Sequence, residues 1–390
     1  MHSLDLDEPL ARAGGVRGWW ASLRAAIEGW SREPAAYRMA VSNPLTRPFV
    51  DRRTRQVFDL MAGFVHSQVL LTCVRAGVLR HLQAQPATLQ ELARTLDWPE
   101  EGLQRLLASA LSLELLAQRR DGRYTLGALG APVMQHPGIA AMVEHNHLLY
   151  EDLRDPEAFL RRDADGRLAG YWPYARADGA PAPDEAPPQS VARYSALMAE
   201  SQTFVIDEIL RSHDFRGHRQ VLDVGAGKGR FLAALAARYP ALRLQAFDLP
   251  PVLALAQASH QAAGIAGRVQ YHPGNFFADA LPLGADLITL VRVAHDHSDA
   301  AVAKLLAKAC ASLPAGGQLL LAEPMAQEPG GPAHGDAYFH YYLKGMGSGR
   351  LRTPAHLTRL LQQAGFGPVR RLRGALPIHA QVLIAVKDRG

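Results

Sequence analysis

At 390 residues, with 48% apolar and 20% charged side chains, the chain is too long for one compact core and too apolar for disorder, so two domains are expected. Its net charge of +5 rests mainly on arginine and gathers into no block of one sign, which argues against a nucleic-acid tail. Cys73 and Cys310 have no metal or redox spacing, the acidic start lacks a signal-peptide core, and the apolar run over residues 60–74 falls short of the roughly 20 residues of a membrane span.

The expected setting is therefore the cytoplasm. Val16, Trp19, Trp20, Leu23, Ile27 and Trp30 share one face of a predicted helix, with Arg17 and Arg24 opposite. Such a face suits packing on the chain or on a second subunit, and secondarily peripheral contact with a membrane surface. Pro44 and Pro48 mark a loop before a strongly apolar helical stretch over residues 54–82. That stripe is too wide for a small domain to cover alone, so a homodimer is expected.

Thr88 and Glu91 form a capping box for a helix over 89–96, a second helix follows Trp98-Pro99, and 115–126 read as a hairpin around Asp121-Gly122. Helix, turn, helix and hairpin make a winged helix. Glu100, Glu101 and Glu114 outweigh Arg105 on its would-be recognition helix, the wrong balance for a phosphate-lined groove, and nucleic-acid binding is not expected. Residues 139–150 and 191–210 each read as one helix, with a Pro-rich loop at 180–188 between them.

From there strands alternate with helices. The strands fall at 220–224, 243–247, 269–271, 286–293 and 318–322, with a last pair near 369–373 and 381–386. The pattern predicts a mostly parallel sheet covered on both faces, with ligands at the carboxyl ends of its strands. The fold class is thus α/β: a helical and winged-helix dimerisation domain (1–150), a connecting segment (151–190) and a Rossmann-like domain (191–390).

The last domain opens on Val221-Leu222-Asp223-Val224-Gly225-Ala226-Gly227-Lys228-Gly229, an apolar strand running into a G-x-G-x-G turn. Glycines there let the backbone close on a ligand and present its N–H groups. Arg230 stands where a dinucleotide fold has its third glycine. Asp248, nineteen residues beyond Gly229, ends the second strand and suits the hydroxyls of a ribose. The fourth strand runs into Ala294-His295-Asp296-His297-Ser298-Asp299, and the fifth ends at Glu323, in the same crevice. Histidine there can take a proton from a hydroxyl while a carboxylate holds its tautomer. His297 and His334 beside His295 and Asp296 match no metal spacing, so no metal is expected.

The winged helix, the glycine turn, Asp248, His295-Asp296-x-Ser298-Asp299, Glu323-Pro324 and Gly349-Arg350-Leu351-Arg352-Thr353 together resemble the caffeate-type S-adenosylmethionine-dependent O-methyltransferases, from about Arg55 to the C-terminus. The resemblance implies S-adenosyl-L-methionine as cofactor, bound by Asp223, Gly225, Gly227, Asp248, Leu249, Asn275 and Phe276. It also implies His295 as general base, supported by Glu323. A second supporting glutamate of the family falls on Leu351, an adenine-side acid on Asn275, a lysine near the cofactor on Val291 and a tryptophan on His297.

Residues 43–54, 58–65 and 171–174 are similar to the bacterial carotenoid methyltransferases within that family. This implies the tertiary 1-hydroxyl of an acyclic carotenoid as acceptor, against Tyr194, Met198, Tyr341, Tyr342 and Met346. The rival acceptor is a phenolic or polyketide hydroxyl; the rival from another class is a relative that binds cofactor without methylating, against which the retained His295 and Glu323 speak. Loss of His295 is expected to cost more than Glu323→Gln. An imidazole of ordinary pKa, about 6.5, puts the acidic limb of activity between roughly pH 6 and 7.

Overall fold

The computed structural model describes residues 34–161, 166–171, 188–328, 335–347, 349–374 and 380–388. The predicted helix at Val16–Trp30, most of the Pro-rich loop, Trp172-Pro173-Tyr174 and His334 lie outside them. By internal packing the chain forms two units, divided between Leu70 and Leu71.

The first unit contains α1 (Pro34–Ser42) and most of α2 (Arg47–Arg75). The helix predicted over 54–82 begins earlier and stops at Gly77, whose left-handed φ of 76° separates it from α3 (Val78–Ala84). On α2, Leu60 is 84% and Phe64 72% exposed, and Val57, Phe58, Met61 and Val65 are exposed with them, so the described residues leave the apolar stripe uncovered. By length and composition alone α2 could cross a membrane, which the run of uncharged residues had understated.

In the second unit α4 (Leu89–Leu96) carries the predicted capping box. The Glu91 N–H donates to Thr88 Oγ1 at 3.2 Å, and the Thr88 N–H to Glu91 Oε2 at 2.8 Å. Next, α5 (Glu100–Ser112) buries Leu103, Leu106, Leu107 and Ala110. β1 (Leu116–Gln118) and β2 (Tyr124–Leu126) pair antiparallel and complete the winged helix.

Then come α6 (Gly130–Gln135), α7 (Pro137–His145), α8 (His147–Asp152), α9 (Pro156–Arg161), α10 (Arg167–Tyr171), α11 (Pro188–Ser201) and α12 (Thr203–Ser212). The single helices predicted over 139–150 and 191–210 are each broken, at Asn146 and Gln202. At the first break the side chains of His145 and Asn146 bond to Tyr342 and Tyr338, tertiary partners that no helical periodicity reveals.

The sheet follows: β3 (Gln220–Val224), α13 (Arg230–Arg238), β4 (Arg243–Asp248), α14 (Pro250–Ala262), β5 (Val269–Pro273), β6 (Leu287–Val291), α15 (Asp299–Ser312), β7 (Gln318–Glu323), α16 (Asp336–Met346), α17 (Pro354–Gln363), β8 (Phe366–Arg371) and β9 (Gln381–Lys387). Its order is β5-β4-β3-β6-β7-β9-β8, with β9 antiparallel to both neighbours and the β5-to-β7 portion parallel. Strands leave β3 in opposite directions, so the crevice between the carboxyl ends of β3 and β6 is a topological switch point. β6 and β7 are buried almost throughout, as their unbroken apolar sequences require.

Candidate active site

β3 carries Asp223 to the edge of this crevice. The strand register sets it beside Thr289 of β6, whose hydroxyl donates to Asp223 Oδ1 at 2.7 Å. Burial pushes the Asp223 carboxyl up to about 7; the Thr289 bond pulls it down and the Asp248 charge adds to the rise. At Gly225 the backbone turns with φ 76°, and a Cβ would lie 2.7 Å from Val293 Cγ2, so no other residue fits without a shift.

The Gly225 N–H donates to Phe247 O at 2.8 Å, the Gly229 N–H to Ala226 O at 2.9 Å, and the Gly227 N–H to Asp248 Oδ2 at 2.8 Å. These donors are used inside the protein, not presented to a ligand as the sequence pattern suggested. What the turn supplies is close approach, since a Cβ on Gly227 would meet nothing within 4 Å. Such a turn suits a ligand without phosphates.

Asp248 ends β4, and its Oδ1 accepts the Leu249 N–H at 2.8 Å. Burial pushes its carboxyl up to about 6, against the pull of the Gly227 and Leu249 bonds. Those two bonds fix the carboxylate plane and leave lone pairs for a pair of hydroxyls. Asn275 is a turn former: its Oδ1 accepts the Phe277 N–H at 2.9 Å, and its N–H donates to Asp279 Oδ2 at 2.7 Å. Phe276 and Phe277 stand edge-on to His297, with ring centroids 5.6 and 4.9 Å away. Lys308 of α15, unremarked in the sequence, holds their loop through the carbonyls of Phe276, Phe277 and Asp279.

β6 ends sooner than its apolar run predicted because Arg292 adopts φ 57°, uncommon for a residue with a Cβ, and turns the chain into one 3-10 turn, Ala294–Asp296. Glu323, the buried last residue of β7, reaches across to this turn. Its Oε1 accepts the N–H groups of Val293 (2.8 Å) and Ala294 (2.7 Å), and its Oε2 accepts the His295 backbone N–H (3.4 Å) and ring Nδ1–H. With Nδ1 held by Glu323, Nε2 is the nitrogen left to act as a base. Asp296 Oδ1 lies 3.0 Å from it.

Burial alone would depress the imidazole, but the charges of Asp296 and Glu323 and the Glu323 bond outweigh burial and the opposing Arg292, so His295 is raised above its ordinary value. Asp296 itself is pushed up to about 7 by burial, although the charge of His295 pulls it down. The ring thus rests between two carboxylates, and an incoming hydroxyl must take the place of Asp296 at Nε2.

α16 packs beside the Ala294–Asp296 turn. Tyr338, Tyr342 and Met346 recur every fourth residue and share a face. The tyrosine rings stack at 5.4 Å; the Tyr338 hydroxyl donates to Asn146 Oδ1 at 3.0 Å, and the Tyr342 hydroxyl lies 3.1 Å from His145 Nε2. Arg292 donates to Ser201 Oγ at 2.7 Å and Met198 Sδ at 3.6 Å. Of the predicted substrate residues, Tyr342 and Met346 are buried in a cluster with Leu149, Leu168 and Leu351, and Met198 meets Arg292. Tyr341 instead stacks on Phe159 at 5.9 Å, as adjacent helical residues must diverge. Tyr338, missed in the sequence, could have been found four residues before Tyr342. Tyr194 lies on α11, its side chain outside the described residues.

Residues 150–367 match the O-methyltransferase domain and residues 58–135 the O-methyltransferase dimerisation domain. The chain belongs to the O-methyltransferase family. It is 42% identical over 344 residues to demethylspheroidene O-methyltransferase of Cereibacter sphaeroides, covering 88% of this chain and 90% of that protein. It is 41% identical over 353 residues to the enzyme of the same name from Rhodobacter capsulatus, covering 90% and 86%. Among solved structures, human N-acetylserotonin methyltransferase in complex with S-adenosylmethionine shares the fold, with a TM-score of 0.71 at 24% identity over 86% of this chain and 98% of that one.

The protein is thus an S-adenosylmethionine-dependent O-methyltransferase with a dimerisation domain, and the residues present fit that cofactor. Asp248 offers a fixed carboxylate to ribose hydroxyls, and the space over Gly227 is open, whereas Asp223 is buried against Thr289. Asp248→Ala is expected to weaken S-adenosylmethionine binding roughly ten- to a hundredfold, the worth of about 1.5–3 kcal/mol for hydrogen bonds to a charged group. Binding should also weaken as the pH falls through about 6, because a protonated Asp248 accepts fewer bonds. Calorimetry across that range checks both; unchanged affinity in the variant removes Asp248 from the site.

Proposed function

We propose that this O-methyltransferase acts on the tertiary 1-hydroxyl of an acyclic carotenoid, as a cytoplasmic homodimer in peripheral contact with a membrane. The observation that carries the acceptor is the identity of 42% and 41%, across about nine-tenths of the chain, to two enzymes named for demethylspheroidene. The partly buried Tyr338 and Met198 near Arg292 support it, because aromatic faces and flexible thioethers give apolar contact along a conjugated chain.

When bound, S-adenosylmethionine supplies an electrophilic methyl group on a sulfonium. A tertiary alcohol is far too weak an acid for histidine to ionise beforehand. His295 Nε2 therefore takes the hydroxyl proton as the new C–O bond forms, and Glu323 balances the imidazolium that results. Much of the acceleration comes from holding the hydroxyl in line.

The test is incubation of purified protein with methyl-labelled S-adenosylmethionine and, separately, hydroxylated acyclic carotenoids and a panel of phenols. Label in a carotenoid methyl ether is expected; label in phenols alone overturns the assignment. For assembly, the exposed stripe on α2 and the dimerisation match support a homodimer. Light scattering at micromolar concentration should give twice the chain mass, and a monomer refutes it. For the membrane, exposed Phe49 among Arg47, Arg52, Arg53 and Arg55, with Asp51 paired to Arg47, gives an apolar side chain amid mostly basic neighbours. Co-sedimentation with anionic vesicles should be seen, and its absence would end that part of the reading.

A further inference from the structure

The base sits on a single 3-10 turn, too short to hold itself in place. Its N–H side is held by Glu323, as described. Its carbonyl side is held by the segment Gly349–Arg352, which the sequence singled out and no step above has used. The Arg350 N–H donates to the carbonyl of His295 at 2.7 Å. Arg352, with a side chain only 1% exposed, donates from Nη1 to Ala294 O at 2.8 Å and from Nη2 to His297 O at 2.6 Å. Its Nη1 also reaches Arg350 O at 3.2 Å, and its Nε pairs with Asp299 Oδ1 at 2.7 Å, the residue that begins α15.

The backbone of Arg352 joins the clamp to β7. The Ala326 N–H donates to Arg352 O at 2.8 Å, only a few residues after Glu323. Gly349 lets the segment pass, since a Cβ there would stand 2.8 Å from His295 O. Leu351, where the resemblance places a second supporting glutamate, is buried with Tyr342, Met346, Leu149 and Leu168 and gives the imidazole no polar support.

We propose that Arg352 is a positioning residue for the base: by gripping the carbonyls on either side of His295 it sets the imidazole against Glu323. The grip is one of geometry. A guanidinium presents its donors in a rigid planar fork that can bind both carbonyls and a carboxylate at once, which an ammonium cannot.

This rests on His295 being the base, so its test includes measurements that need no acceptor. The groups facing the ring are Glu323 from β7, Asp296 and His297 on its own turn, and Arg292 at the end of β6. In Arg352→Met, NMR of histidine-labelled protein should show the His295 ring N–H weakened and its titration midpoint falling toward about 6.5. Turnover should drop roughly a hundredfold, as for about 1 Å of misplacement, with S-adenosylmethionine affinity within about twofold.

Should Arg352→Met fail to fold, Arg352→Lys keeps the charge opposite Asp299 but loses the fork, and should show the same changes more weakly. Asp299→Asn, which leaves the carbonyl bonds, should change neither the titration nor turnover appreciably. The proposal is overturned if folded Arg352 variants keep the wild-type titration and turnover, or if Asp299→Asn alone reproduces their loss. A merely structural role would lower thermal stability without moving the midpoint. If instead His295→Ala retains turnover, the reading of the base fails, whatever the Arg352 variants show.

Discussion

Replacing His295 with alanine is expected to cut turnover by about a hundred- to ten-thousandfold, the usual worth of a positioned general base, while leaving S-adenosylmethionine binding nearly intact. The separation is expected because Asp223 and Asp248 lie on β3 and β4, whereas His295 follows β6. Only the neutral ring can accept a proton, so activity must rise with pH through its pKa. In the structure Asp296 and Glu323 overcome the burial that would depress the ring, and the net shift is upward. The acidic limb should therefore lie above about pH 6.5, not across the pH 6 to 7 range that an ordinary imidazole gives. Rates must be taken at saturating cofactor, because Asp248 titrates nearby. Near wild-type turnover in the alanine variant would reduce His295 to a wall of the crevice.

Glu323→Gln should cost at least as much, although the sequence suggested a milder loss. Glu323 accepts the N–H groups of Val293 and Ala294 on one oxygen and the His295 ring on the other. A glutamine keeps its oxygen on the two backbone donors, which turns its NH₂ toward Nδ1. The ring must then accept at Nδ1 and carry its proton on Nε2, the nitrogen that has to receive the hydroxyl proton. Replacing a carboxylate by an amide in the corresponding position of a serine protease triad costs about 10⁴-fold through the same wrong tautomer, and a loss of roughly 10³- to 10⁴-fold is expected here. The measurement is single-turnover methyl transfer, together with NMR of the ring nitrogens to show which one is protonated. A loss below about tenfold with Nδ1 still protonated would mean that Glu323 holds the loop and does not select the tautomer.

The architecture was legible because its signals are local. Apolar runs ending in Asp223, Asp248 and Glu323 located the strand ends, and the Thr88–Glu91 box and Asp121-Gly122 turn located the winged helix. A buried parallel strand must be apolar throughout and a crossover helix must show a 3.6-residue stripe, so the α/β alternation can be read along one chain. The positions of Asp223, Asp248, His295 and Glu323 at or just beyond the ends of strands were legible for the same reason, as each lies where an apolar run stops.

What the tertiary structure alone decided is where side chains and backbone groups find partners far away in sequence. No local pattern shows that Gly227 donates to Asp248, that His145 and Asn146 at the α7–α8 break bond to α16, or that Glu323 carries the turn at residues 293–295. Tyr341 and Tyr342 look equivalent in sequence, but a helix sends adjacent residues to different faces, and only the packing of α16 showed that Tyr342 is the one buried against His145. The upward shift of His295 likewise depends on charges brought within reach by the ends of β6 and β7, a sum that spacing along the chain does not contain.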